Sequence, residues 1–242
     1  MWDSDAAYDR FMGRFSRRLA PLFADFAGVE EGDRALDVGA GTGALTEELV
    51  RRGAVTAAAD PSPAFAASLR RQFPDLDVRE APAEDLPWES GSFDVALAQL
   101  VVAFMNDAHA GVNEMARVAG SRVAVCMWDF DGQELLATVN RVRNRLGSTT
   151  TEPGGYRTGP ALAELLGVGS EVEALDVEAD YDDFEDFWSA LLGGAGPHGA
   201  WASSLEGEQK EAARTELFRE LGEPEGSFTL SGRAWAARLR PA

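Results

Sequence analysis

The sequence predicts an α/β protein, built on a doubly wound, mostly parallel seven-stranded sheet with an N-terminal helical segment and a helical insertion before the last strand. Three observations carry this expectation. From Arg34 onward, short apolar runs alternate with stretches of helical periodicity. The runs are apolar almost throughout, as strands are when helices cover both faces of a sheet. A glycine-rich turn, Gly39-Ala40-Gly41-Thr42-Gly43, joins the first of these runs to the first helix after it.

Ahead of the sheet, YDRFMGRFSRRLAPLFADFAG sets Phe11, Phe15, Leu19, Leu22, Phe23 and Phe26 at helical intervals, with Arg10, Arg14, Arg17 and Arg18 between them. This predicts one or two amphipathic helices, a cap over residues 1–33. Residues 34–129 read as the core: strand RALDV, helix TGALTEELVRR, strand AVTAAAD, helix SPAFAASLRRQF, strand LDVRE, strand SFDVALAQL, helix NDAHAGVNEMARV and strand SRVAVCMWD. That alternation implies right-handed βαβ units. In the C-terminal part, 130–242, helices are expected at GQELLATVNRVRNRL and GPALAELLGVG, and strands at VEALDVEA and SFTLSGRAWAARLR. Between the two strands, residues 182–226 read as a helical lid. It holds DDFEDFWSALLGG, a Gly- and Pro-bearing loop GGAGPHGAW, and a helix SSLEGEQKEAARTELFREL opened by a capping box from Ser203 to Glu206. The length, 242 residues, fits one decorated α/β domain, 1–242.

Lys and Arg total 22 against 41 acidic residues, a formal charge of -19 that repels phosphate backbones and anionic lipid. Nucleic acid and membrane are therefore not expected partners; a small molecule is, for a monomer or homodimer. The opening MWDSDAAYDRF has no basic stretch followed by an apolar run, so a cytoplasmic protein is expected. Cys126, within RVAVCMW, reads as a buried structural thiol. The two histidines, His109 and His198, have no neighbours at metal-ligand spacing, so no metal is expected.

The glycines of ALDVGAGTGAL have separate physical roles. Gly39 permits a tight turn, Gly41 lets a ligand approach the backbone, and Gly43 lets the helix pack closely on the sheet. They also satisfy a dinucleotide-binding pattern, so alone they do not choose a ligand. Asp37, two positions before the first glycine, sets an acid where a pyrophosphate would meet unwanted charge; a ligand with an ammonium and a sulfonium is favoured instead. Asp60, about 20 residues past the glycines, is placed to accept hydrogen bonds from ribose hydroxyls. Its alternative role is a helix N-cap ahead of Pro61.

DVGAGTG, Asp60, PAEDLPWESGSFDVALAQL and NEMARV together resemble the class I S-adenosylmethionine-dependent methyltransferases, and within them the broad type 11 group that includes quinone-biosynthesis-like enzymes. The resemblance is strongest over residues 34–129. It implies a Rossmann-like methyltransferase fold with S-adenosylmethionine as cofactor. Gly39 and Gly41, with Ala40 and Gly43 in the same turn, would lie against its methionine part, and Asp37 would reach its ammonium directly or through water. Asp60 and Pro61 would meet the ribose, Ala83 and Glu84 the adenine, and Gln99 the sulfonium end. Many relatives place Asp directly before the Ala-Glu pair; here Pro82 stands there and offers no side-chain hydrogen bond. Tyr8 and Arg14 are candidates to close over the cofactor from the N-terminal helix, with a solvated helix face as their alternative.

Displacement at a sulfonium carbon needs positioning and desolvation of the acceptor more than a catalytic triad. His198, in the predicted loop, is the histidine placed to act as a base; the alternative is a surface histidine, and His109 reads as structural. Phe104, Trp128 and Trp188 are candidates for an apolar acceptor pocket, or else core residues. The favoured function is methyl transfer to an O, N or C atom of a small molecule. An S-adenosylmethionine-binding regulator or cyclase, a protein-modifying methyltransferase and a nicotinamide oxidoreductase are the alternatives, the last opposed by Asp37.

Overall fold

In the computed structural model, residues 9–119, 122–129, 132–148, 155–193 and 196–239 are described; Tyr8 and Gly194 lie outside them. A π-helical turn, Asp9–Gly13, leads into α1, Arg14–Ala27. Phe11, Phe15, Leu19, Phe23 and Phe26 are buried, as the periodicity requires, whereas Leu22 is exposed. Seven strands follow: β1 Arg34–Val38, β2 Val55–Asp60, β3 Asp77–Glu80, β4 Val95–Gln99, β5 Val123–Trp128, β6 Glu171–Tyr181 and β7 Phe228–Leu239. They form one sheet in the order β3-β2-β1-β4-β5-β7-β6. The pairs β1–β2, β1–β4, β2–β3 and β4–β5 are parallel, and β7 returns antiparallel to β5, from Val123↔Leu239 to Trp128↔Ala234.

The crossovers carry α2, Ala44–Arg51, α3, Pro63–Gln72, and α4, Ala108–Ala119. Strand order reverses between β1 and β4, which makes their carboxyl ends the switch point where ligands bind in open α/β sheets. After β5 come α5, Glu134–Arg145, and α6, Gly159–Leu166; between β6 and β7 lie α7, Phe184–Leu192, α8, Gly196–Ser204, and α9, Gly207–Glu220.

By its internal contacts the chain resolves into two compact units, where the sequence suggests one domain. The first comprises Met1–Phe15, Phe130–Glu152 and Asp176–Arg233, and the second Ser16–Asp129, Pro153–Leu175 and Ala234–Ala242. In the second unit, every residue of β5 is buried, and Ala58, Ala66, Leu69 and Val78 pack with Ala40 beneath the turn after β1. The first unit has an aromatic interior: Tyr181 stacks on Phe228, and Phe184 meets Phe187 and Phe218.

Two local expectations are corrected. GGAGPHGAW is not a loop from Gly196 on but the body of α8. The capping box does not form: α9 begins after Glu206 with no side-chain cap, and Ser203 donates its hydroxyl to Ala200 O within α8. The physical reason is competition, since a serine in a last helical turn satisfies a carbonyl of its own helix before it can serve the next one.

Candidate functional site

The site begins where β1 stops. Gly39 N and Ala40 N both donate to Ala59 O, at 2.8 and 3.1 Å, so the chain folds back over the end of β2. Gly39, Gly41 and Gly43 have φ of 72°, 55° and 89°, the left-handed region that favours glycine. A Cβ on Gly39 would lie 2.6 Å from both γ carbons of Val101, just past β4, so this glycine also sets the approach of the turn to β4. On Gly41 a Cβ would find only Gly39 O, at 3.9 Å: that side of the turn is open. On Gly43 it would meet Leu69 and Phe73 at 3.0 and 3.1 Å. The close packing at Gly43 is thus against α3 and its cap, not against the sheet as expected.

Asp60 holds the turn in place. Its Oδ2 accepts from Gly41 N at 2.9 Å and its Oδ1 from Ser62 N at 2.8 Å. Pro61, exposed and lacking an N–H, makes Ser62 the first amide available. Ser62, not Asp60, caps α3, accepting from Phe65 N, so the capping alternative for Asp60 is corrected. Burial raises the pKa of Asp60 while the Ser62 and Gly41 amides pull it back.

Asp37 lies deeper, with Oδ2 accepting from Thr46 Oγ1 at 2.6 Å. Loss of water pushes its pKa up to about 7; Thr46 opposes that rise and the nearby Asp60 adds to it. Asp37 stands in register beside Ala58 and Leu97, and Asp60 and Gln99 come two residues further along those strands. The period of two puts all three on one face. Gln99 Nε2 donates to Ser16 O at 3.0 Å, which fixes the amide, and its buried Oε1 has no hydrogen-bond partner. Ala83 is buried near α4, where a Cβ on Gly111 would lie 3.3 Å from it; Glu84 accepts from Asp107 N at 3.0 Å.

The structure therefore gathers Asp37, the glycine turn, Asp60 and Gln99 at the carboxyl ends of β1, β2 and β4. Residues 37–44, 60–63 and 99–102 contain no Lys, Arg or His, so the anionic side chains there have no cationic neighbour within these segments. Sequence reasoning missed Thr46, Ser16 and Val101. Only Val101, two residues past Gln99, carried any positional signal; the others meet the site through folding.

Other expected site residues lie elsewhere. Arg14 does not present a free guanidinium to a cofactor, nor a solvated face: it donates to Asp186 Oδ2 at 2.7 Å and to Asp180 O at 2.9 Å within the first unit. His198 is neither in a loop nor at the surface. It is buried in α8 with Nε2 3.1 Å from Asn140 Oδ1, and burial, aided by Arg143, lowers its pKa to about 3. A base that weak has little drive to take an acceptor's proton near neutral pH. Trp188 is buried in the first unit, Trp128 is buried at the end of β5, and Phe104 is exposed on the 3-10 turn Val102–Phe104.

Residues 36–127 match the type 11 family model described as a methyltransferase domain. An uncharacterized protein of Mycobacterium tuberculosis is 33% identical over 136 residues, 53% of this chain and 50% of that one. A demethylmenaquinone methyltransferase of Beutenbergia cavernae is 35% identical over 116 residues, 47% of each chain. The chain thus spans about half the length of the curated relatives it matches. Among solved structures, a putative type II methyltransferase from Anaeromyxobacter dehalogenans superimposes with a TM-score of 0.62 at 23% identity, covering 92% of this chain and 97% of that one. The protein has the class I methyltransferase fold, and its core segment carries the methyltransferase-domain signature. Among the described residues no helix is long and apolar enough to cross a membrane, and no group of three His, Cys, Asp or Glu is placed to hold a metal ion.

Two outcomes are expected from the turn. Gly39→Ala should lower stability by about 2 to 4 kcal/mol, from overpacking on Val101 and the left-handed φ together, visible as a fall in melting temperature. Adding Val101→Ala should recover the packing part; no recovery would mean that Val101 is not what confines the turn. The second outcome concerns pH. Because the folded Asp37 binds its proton more tightly than the unfolded one, its contribution is fully present below about pH 4 and is lost as pH rises toward about 7. Asp37→Asn should flatten that decline in thermal melts and be the more stable protein at pH 8. A variant that declines as steeply as wild type would place the titrating group elsewhere.

Proposed function

We propose that this chain binds S-adenosylmethionine at the carboxyl ends of β1, β2 and β4 and methylates an O, N or C atom of a small-molecule acceptor. The observation that carries the reading is the donor-poor, cation-free set of Asp37, Asp60 and Gln99 Oε1 on one face beside an open glycine turn. A phosphate finds only turn amides there and two carboxyl groups against it. A ligand bearing an ammonium, a sulfonium and a ribose diol finds acceptors for each hydrogen and a field of the right sign.

These residues fit the cofactor in distinct ways. Asp60 uses one lone pair on each oxygen for Gly41 and Ser62, which leaves capacity on both oxygens for ribose hydroxyls. Asp37, its pKa raised by burial, is returned toward the anion by any cation placed nearby, so its field favours a cationic ligand. Gln99 Oε1 presents a partial negative charge suited to the sulfonium end. When bound, S-adenosylmethionine supplies a methyl group already activated by its positive sulfur. The chain has then to orient the acceptor and exclude water, with no triad required. The lid, 182–226, which carries Trp188, is the segment proposed to govern acceptor choice.

Calorimetry should show binding of S-adenosylmethionine and its demethylated product without comparable binding of NAD or NADP. Labelled methyl transfer onto a metabolite extract should give a small-molecule product; cofactor binding with no transfer to any fraction would favour a regulator or cyclase. Asp60→Ala should weaken cofactor affinity about ten- to a hundred-fold, the cost of one charge-assisted acceptor. Micromolar affinity for a nicotinamide cofactor and none for S-adenosylmethionine would overturn the proposal.

A further inference from the structure

In the first unit, side-chain bonds from Asp180 to Thr229 and from Asp176 to Arg233 fix β6 and β7 as an antiparallel ribbon. Tyr181 therefore stands beside Phe228, and Phe228, Leu230 and Gly232 share one face. The Tyr181 ring is held on several sides: stacked on Phe228 at 5.3 Å, edge-on to Phe187 at 5.5 Å, and under the Arg14 guanidinium at 4.8 Å. Arg14 is itself anchored by Asp186. The phenol is rigid and 1% exposed, yet its hydroxyl has no hydrogen-bond partner. A phenylalanine would make the same ring contacts without burying a polar atom.

Gln133 repeats the pattern on the same ribbon. It is fully buried and caps α5 by accepting from Leu135 N at 3.3 Å, which orients the amide. Its Nε2 lies over Gly232, where a Cβ would come within 2.6 Å, and this nitrogen too has no partner. Serine or aspartate caps helices better and would leave no buried amide nitrogen. Tyr181 lies against Phe228 and the Gln133 amide against Gly232, on one face of β7, and two costly choices of the same kind there point to one cause.

We propose that the interior of the first unit is a ligand site in which Tyr181 Oη and Gln133 Nε2 donate hydrogen bonds to an otherwise apolar molecule bearing oxygen acceptors. Both groups act as donors, since burial keeps the tyrosine protonated and an amide nitrogen only donates. Phe187, Phe228 and Leu230 set the apolar surroundings. The aromatic rings around Tyr181 suit a ring-bearing molecule. The binding does not depend on the methyl-transfer reading.

The probes are 2-acetylnaphthalene and 2-ethylnaphthalene, alike in shape, of which only the first carries a carbonyl oxygen. Equilibrium dialysis with the full chain should show the ketone bound about tenfold or more tighter, as a site built to hydrogen-bond an oxygen discriminates against its absence. The preference should vanish in Tyr181→Phe or in Gln133→Leu, whichever donor the carbonyl engages. Tyr181→Phe should melt at or above the wild-type temperature and bind S-adenosylmethionine normally. Binding of neither probe, equal binding of both to wild type, or a preference that survives in both variants would overturn the proposal. Failure of wild type to bind S-adenosylmethionine would instead remove the methyltransferase reading and leave the naphthalene comparison to decide this site.

Discussion

The Asp60 carboxylate spans two amides that belong to different parts of the chain, Gly41 in the turn after β1 and Ser62 at the start of α3. Neither amide has a backbone partner available in that geometry, because one sits in a left-handed turn and the other in a helix's first turn. A single side chain thus ties the end of β2 to the end of β1. With Gly39 and Ala40 both donating to Ala59 O, the turn is pinned at three amides over the adjacent strand. Remove that pinning and neither the open face at Gly41 nor the packing of Gly43 on Leu69 and Phe73 has a reason to persist.

The same arrangement concentrates negative charge where water is scarce. Asp37 lies below the turn with Thr46 as its hydrogen-bonding neighbour, and loss of water there raises its pKa. Elsewhere in the molecule carboxylates meet arginines: Asp186 with Arg14, Asp94 with Arg34, Asp33 with Arg122. The cluster around the glycine turn is an exception to that habit, and this contrast within one chain gives the charge argument its force. A site arranged for a phosphate would show the opposite bias, with basic side chains or unburdened amides at the strand ends.

The first unit solves a different problem. Its interior is aromatic, Arg14 is bound to Asp186, and its histidine is buried and neutral. General-base chemistry therefore has no obvious home at His198.

The order of strands and helices, the glycine turn and the two aspartates were legible because each depends on local facts: period, residue size, and the freedom of glycine at positive φ. The apolar run around Cys126 predicted a buried strand for the same reason, since a strand covered on both faces has no use for polar residues. The lid was legible as a helical segment between two strands, including the helix that is α9. Helix α8, the loss of the Ser203 cap and the burial of His198 were not, because a Gly- and Pro-bearing stretch becomes helix or loop according to what packs on it. The sequence by itself determined the class of fold and the chemistry of the turn. Tertiary structure alone decided which groups meet across long stretches of chain: Ser16 with Gln99, Asp186 with Arg14. Those contacts follow from the packing of elements distant in sequence, and no local pattern encodes which side chains will come within hydrogen-bond reach once the sheet is closed over.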